Sequence, residues 1–306
     1  MLCSSCQHRF PIRKYTIDFM EDWKSNGMDS QVEFVYDRAR ETWGENLHAV
    51  EAHQEMPPSW HHGQLLEIFG EQHDLYKGCS LDIGCGLGYD CRLLAEQIPD
   101  KPHYAIDMGG NIPDVSERDN QYANLHYIRG NALNLPIADD SFDSITSFGV
   151  FHHTANPQKG MQEAFRVLKT KGCISIYLYK NHEDNLLKHA GVILETMIMH
   201  LTSRLSLKAG ERLCWLISPF VLLLFSYPAQ LLKRVRKLEK LGRAFPLHWG
   251  TTPKSIMGDL QDRLLASVNH RYSRKGFEAL FNNTGFSNVQ VITTTAGHYG
   301  YAEKLG

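Results

Sequence analysis

Asp82-Ile83-Gly84-Cys85-Gly86-Leu87-Gly88 puts three glycines and an acid into seven residues. Glycine loses more freedom on folding than any other residue, so three in one turn mark a backbone that must pass close to something. At the carboxyl end of a strand, with a helix N-terminus behind it, such a turn makes a nucleotide cradle. Its G-x-G-x-G spacing departs from the G-x-G-x-x-G of a dinucleotide site, and Tyr89-Asp90 stand where a phosphate-binding loop needs Lys followed by Ser or Thr. Asp107 falls where the next strand should end, a position from which a carboxylate holds ribose hydroxyls. General-base candidates are His152 and His153 at the end of a later strand, Tyr179 at the end of the one after it, and His182 just beyond. Neighbours on a strand point to opposite sides, so at most one of the two histidines faces a substrate. A glycine turn without a ligand, and histidines that only shape a pocket, are the alternatives.

Those side chains need strands to hold them. Residues 80–83, 103–106, 124–128, 144–148 and 173–179 are short apolar or β-branched runs, and helical spacing fills 64–76, 87–97 and 158–168 between them. Strands alternating with helices imply βαβ units and a mostly parallel sheet covered on both faces. At the far end, 287–295 and 298–304 read as two strands joined by Ala296-Gly297, a hairpin able to close the sheet with an antiparallel edge.

Taken in order, LDIGCGLG, AID and GNALNLPIADDSFDSITSFGVFHHTANPQKGMQEAFRVLKTKGCISIYLY closely resemble the class I S-adenosylmethionine-dependent methyltransferases of small molecules over 64–181. SRKGFEALFNNTGFSNVQV, from Ser273, is similar to the last helix and sixth strand of that family. The resemblance implies an α/β, Rossmann-like, seven-stranded mixed sheet, mostly parallel with an antiparallel last strand. It also implies roles. Asp82 and the turn of Gly84, Cys85, Gly86 and Gly88 would hold the amino-acid moiety of S-adenosyl-L-methionine. Asp107 would accept from the ribose hydroxyls and Met108 would pack on the adenine. Asn131 and Ala132 would sit at the adenine edge, and Phe148 beside the sulfonium. Asn131 stands where the family more often has Asp; its amide oxygen still accepts a hydrogen bond but brings no charge. The cofactor carries the hard step, since a sulfonium is a good leaving group for in-line displacement. His152, His153 and Tyr179 are the candidate catalytic side chains. Two other classes remain: a non-catalytic cofactor- or partner-binding protein that kept the fold, and a dehydrogenase, which would prefer a nicotinamide dinucleotide.

Composition bounds the substrate. The chain has 32 Lys and Arg against 34 Asp and Glu, a formal charge of -2, which gives no general surface for phosphate neutralisation. None of the seven cysteines follows a proline, and Phe148-Gly149-Val150-Phe151 stands where amino-methylating nucleic-acid enzymes carry Asn-Pro-Pro-aromatic. Nucleic acid is therefore a poor acceptor, and a small, partly apolar molecule is the better one. An odd cysteine count and no apolar leader after Met1 fit a reducing, cytoplasmic setting. Cys3-x-x-Cys6 with His8 is half a zinc-ribbon site; a free thiol pair is the simpler reading, and no metal is expected.

The charge is uneven. Residues 186–243 hold ten Lys and Arg against three Glu, and within them 213–232 is free of charge and followed at once by Lys233, Arg234, Arg236 and Lys237. Three helices are expected there, with Pro219 and Pro228 as breaks. The segment reads as an apolar lid over the acceptor site, as peripheral membrane contact through helices lying in the interface, or as a span. Four regions result: 1–58 an N-terminal cover with the CxxC leader, 59–183 the cofactor-binding core, 184–245 the helical insert, and 246–306 the completion of the core sheet.

Overall fold

The computed structural model describes residues 9–20, 60–70, 73–202, 204–245, 247, 252–266, 268–295 and 297–306. The chain forms two compact units, passing from one to the other at Lys180 and Asn181 and back at Asn269 and His270. The Cys3, Cys6 and His8 leader and residues 21–58 of the 1–58 cover lie outside the described residues.

In chain order the sheet unit comprises β1 (Ile12–Arg13), β2 (Thr16–Asp18), α1 (Trp60–Phe69), β3 (Ser80–Ile83), α2 (Tyr89–Gln97), β4 (His103–Asp107), α3 (Ile112–Arg118), β5 (Leu125–Arg129), β6 (Phe142–Phe148), α4 (Pro157–Val167) and β7 (Leu168–Tyr179). The helical unit follows with α5 (Leu186–Thr202), α6 (Leu207–Val221), a π-helical segment (Leu222–Ser226), α7 (Tyr227–Lys233), α8 (Glu239–Ala244) and α9 (Pro253–Leu264). The chain then returns to the sheet as α10 (Arg274–Asn282), β8 (Ser287–Thr293) and β9 (Gly297–Glu303).

The sheet order is β1-β2-β5-β4-β3-β6-β7-β9-β8. From β2 to β7 neighbours run parallel, while β9 lies antiparallel between β7 and β8. Seven strands are expected and, among the described residues, nine are present, because β1 and β2 form a hairpin that adds to β5, pairing Ile17 with Ile128 and Asp18 with Arg129. Three residues are too few to show a period-two pattern, so this hairpin left no signal in the sequence. An ion pair secures it: Arg129 Nη1 lies 2.9 Å from the buried Asp18 carboxylate. Arg129 Nε also donates to the Met108 carbonyl at 3.3 Å, tying the hairpin to the end of β4.

Period two explains the two cores. On β7, Ile174, Ile176 and Leu178 point to one face, where they meet Leu81, Ile83 and Ile145 of the sheet, Met161 of α4 and Phe277 of α10. Cys173 and Tyr177 alternate with them and meet Leu65 and Phe69 of α1, Leu94 of α2 and Tyr299 and Tyr301 of β9. α4 starts where the Asn156 side chain accepts from Lys159 N–H (3.0 Å) ahead of Pro157, and α10 starts where Ser273 accepts from Gly276 N–H (3.0 Å). Glu163 of α4 accepts from Leu135 N–H (2.9 Å) and Arg166 (2.7 Å). Arg166 in turn donates to the carbonyls of Leu135 and Ile137, which pins the connection between β5 and β6.

In the helical unit, Pro219 and Pro228 do not break the chain as expected: residues Lys208–Lys233 form one helical run. Pro228 has no N–H to donate to Leu224, and the π turn at Leu222–Ser226 lets the ladder pass that position. The unit also reaches Asn269, beyond the boundary placed at 245. The reason is α9, whose Ile256, Met257, Leu260 and Leu264 are buried together with Cys214 and Leu222.

Candidate functional site

The turn after β3 is held from both sides. Gly84 N–H donates to the Ile106 carbonyl on β4 (2.7 Å), and Gly88 N–H donates back to Cys85 (2.8 Å). Gly84, Gly86 and Gly88 have φ of 82°, 55° and 69°, a region that favours glycine. Two of them also abut side chains. A Cβ on Gly84 would come 2.1 Å from Val150 Cγ2, and one on Gly88 would come 2.1 Å from the Tyr127 hydroxyl. That hydroxyl donates to the buried Asp119 (2.7 Å), and Arg118 links Asp119 to the Leu87 carbonyl (2.6 Å). The close approach inferred from three glycines is thus, for these two, an approach of protein to protein.

Asp82 is half-buried and register-paired with Thr146 of β6. Its carboxylate accepts from Thr146 Oγ1 (3.2 Å) and Cys91 Sγ (3.2 Å). Neither partner was singled out from the sequence; once β3 and β6 are read as parallel neighbours, the register gives Thr146. Burial pushes the Cys85 thiol up to about 11, so it sits in the turn as a neutral thiol and not as a nucleophile. Asp107 ends β4 and crosses to the turn: one oxygen accepts from Gly86 N–H (3.0 Å), the other from Gly109 N–H (2.8 Å). Burial raises its pKa, with the N–H donors and the Arg129 charge opposing.

These groups fit an adenosyl cofactor on their own chemistry. A carboxylate offers about four acceptor sites and Asp107 spends two on backbone donors, so capacity for vicinal hydroxyls remains. No side chain caps the N-terminus of α2 at Gly88, which leaves orphan N–H groups beside the turn. The adenine-side residues are less open. Asn131 is buried and its Oδ1 accepts from Leu133 N–H (2.8 Å), while Ala132 packs against the main core. Met108 is half-buried next to Asp107.

Phe148 begins a chain of rings. It stacks on Tyr177 at 4.5 Å, Tyr177 meets Tyr179 at 5.9 Å, and Tyr179 lies 4.1 Å from His152 and 6.0 Å from His153. The histidines occupy a single 3-10 turn, Phe151–His153, so the strand argument for their divergence does not apply. The turn separates them all the same: His152 is fully buried and His153 half-buried. His182 belongs to the helical unit. Among the described residues neither ring nitrogen of His152 has a hydrogen-bond partner. Burial, then the nearby His153, Arg271 and His270, hold its pKa well below the ordinary range, so it is neutral at pH 7.

A stability prediction follows from that shift. His152 protonates more readily unfolded than folded, so its contribution is complete above about pH 6.5 and is lost as pH falls below that value. Thermal melts should show this slope in the parent protein and a shallower one in His152→Phe. Equal slopes would contradict the assignment.

Strand order and the glycine turn give a Rossmann-like α/β mixed sheet, mostly parallel with antiparallel C-terminal strands. A family model described as a methyltransferase domain matches residues 81–176. Over these residues the chain is similar to S-adenosylmethionine-dependent methyltransferase domains. Its relatives include a demethylmenaquinone methyltransferase of Geobacillus sp., 29% identical over 45% of this chain and 60% of that one. A protein of the same name from Thermotoga maritima is 32% identical over 31% and 41% of the two chains. An arsenite methyltransferase of Halobacterium salinarum is 29% identical over 31% and 26%. The chain thus spans 60% or less of the length of these relatives. The crystal structure of the CurJ carbon methyltransferase shares the fold, with a TM-score of 0.52 at 12% identity over 88% of this chain and 61% of that one.

Proposed function

We propose that this protein transfers the methyl group of S-adenosyl-L-methionine to an oxygen, nitrogen or carbon of a small, partly apolar molecule. The observation that carries the reading is Asp107, whose carboxylate joins the glycine turn to the end of β4 through Gly86 and Gly109 and keeps acceptor capacity for a ribose. When bound, the cofactor supplies an activated methyl group on a sulfonium, and the protein needs only to hold an acceptor in line and keep water away. Asp107 and Asp82 would hold the two ends of the cofactor. The rings of Phe148, Tyr177 and Tyr179 supply apolar surface near the end of β6. His152 is fully buried with both ring nitrogens unspent, and as a neutral imidazole it can orient the Tyr179 ring 4.1 Å away, which in turn lines the site. A base with a depressed pKa is poorly matched to proton removal at pH 7, so orientation is favoured over general-base catalysis. The relatives' names agree in kind, since demethylmenaquinone and arsenite are both small molecules.

Titration calorimetry with S-adenosylmethionine, followed by assay of S-adenosylhomocysteine release with a metabolite extract, tests the reading. Micromolar or tighter binding and acceptor-dependent release are expected. Binding without release would assign the protein to non-catalytic cofactor sensing, and preference for a nicotinamide dinucleotide would overturn the proposal.

A further inference from the structure

The helical run Lys208–Lys233 is apolar on the side that packs and on the side that does not. Cys214 and Leu222 are buried with α9, as a core-facing stripe should be. On the opposite side a soluble helix carries charge, yet Leu216, Phe220, Leu223 and Leu224 are 67%, 62%, 65% and 60% exposed. Trp215 and Tyr227, both exposed, flank this patch, the positions that amphipathic aromatic rings take at a membrane-water boundary.

Charge frames the same patch. Lys208 and Arg212 are exposed before it, and Arg234, Arg236 and Lys237 after it. The last three form no ion pair among the described residues. Nearby, Lys233 has a lowered pKa, first from burial and then from the charges of Arg243 and Lys188. The hairpin of α7 and α8 keeps them together, because Gly242 lies so close that a Cβ there would meet the Ala229 carbonyl at 2.6 Å.

We propose that this face docks in the interfacial layer of an anionic lipid bilayer, its apolar side chains among the upper acyl chains and its cations on the headgroups. Both ends of the run are basic, so a helix lying in the plane satisfies both at one depth. Crossing is disfavoured by packing. At 1.5 Å per residue the run is about 39 Å long, enough to span, but one side of it rests on α9, whose Arg263 pairs with Glu195 of α5 at 3.0 Å. A span would carry that ion pair into hydrocarbon.

Flotation of the full chain with vesicles is the test. Binding is expected to vesicles of phosphatidylcholine mixed with phosphatidylglycerol at low salt, and to weaken in high salt or with phosphatidylcholine alone. Reversing Arg234, Arg236 and Lys237 to Glu should cut partitioning at least about tenfold, since each surface cation contributes on the order of a kilocalorie. Leu216→Ser with Phe220→Ser and Leu224→Ser should abolish it. All six positions are exposed, so circular dichroism and thermal melts, expected unchanged, show that each variant is folded and keep this result separate from the fate of the methyltransferase reading. The proposal is overturned if the parent chain fails to float, if the serine variant floats as well as the parent, or if binding resists alkaline carbonate as a span would. A dimer that the serine variant converts to monomer would assign the face to a second copy and likewise overturn it.

Discussion

Asp107→Asn is expected to lose S-adenosylmethionine affinity by about a hundredfold while keeping its melting temperature, and calorimetry beside thermal melts would show the split. The carboxylate accepts two backbone N–H bonds and would accept the ribose hydroxyls as well. An amide offers one acceptor oxygen and presents an NH2 to groups that are themselves donors. Charge-assisted hydrogen bonds contribute roughly 1.5–3 kcal/mol each, so losing two costs about 3–6 kcal/mol of binding, a hundredfold at the low end. Stability moves differently. Burial raises the pKa of Asp107, so the folded state prefers the protonated acid and the charged form opposes folding at neutral pH. A neutral amide of the same shape removes that opposition, which offsets the one backbone N–H, of Gly86 or Gly109, that it leaves without an acceptor. The same shift makes binding acid-sensitive: affinity should begin to fall at a pH above the ordinary aspartate range, as the ribose acceptor takes up its proton. A variant that melts early, or one that binds normally, would sink the assignment of this carboxylate.

The turn and its two acids are legible as letters because they depart from local propensity. A glycine turn and two acids at strand ends break local rules of propensity, and such breaks are where a sequence speaks of function. Asp82, Gly84, Gly86, Gly88 and Asp107 stand out as letters, although packing against Val150 and Tyr127 by itself calls for glycine at positions 84 and 88. The sheet was legible for the opposite reason. β7 alternates Ile174, Ile176 and Leu178 with Cys173, Ser175 and Tyr177, and one strand with two apolar faces announces helices on both sides.

What stayed hidden depends on pairings between distant residues. β1 and β2 are two and three residues long and exist because β5 offers an edge and Arg129 a charge for Asp18. Val150 against Gly84, Tyr127 against Gly88 and Cys91 against Asp82 are contacts, and contacts have no spacing to read. In the helical unit, Pro219 and Pro228 predicted breaks from local rules. The π turn between them absorbs the missing donor, which is a property of the whole ladder and not of either proline. The end of that unit is hidden for a similar reason: 246–269 carries no boundary signal, and only the burial of Ile256, Met257 and Leu260 shows which core it joins.

Gly84→Ala is the substitution expected to do most damage, and the reason separates backbone strain from crowding. At φ 82° an L-residue costs roughly 1–2 kcal/mol, and a Cβ placed 2.1 Å from Val150 Cγ2 and 2.8 Å from Cγ1 adds overpacking of about 1–3 kcal/mol unless the turn shifts. A shift is no escape for function, because Gly84 N–H is bonded to the Ile106 carbonyl and the Gly86 N–H that faces Asp107 lies two residues on. The expected result is a fall in stability of about 3 kcal/mol, near the middle of the combined range, and loss of measurable cofactor binding. Adding Val150→Ala removes both Cγ atoms and leaves the strained φ, so the double variant should regain the crowding share of stability and part of the affinity. If the two substitutions prove additive, Val150 does not press on the turn. If Gly84→Ala binds S-adenosylmethionine as the parent does, the turn after β3 is not the cradle, and the cofactor must be held elsewhere.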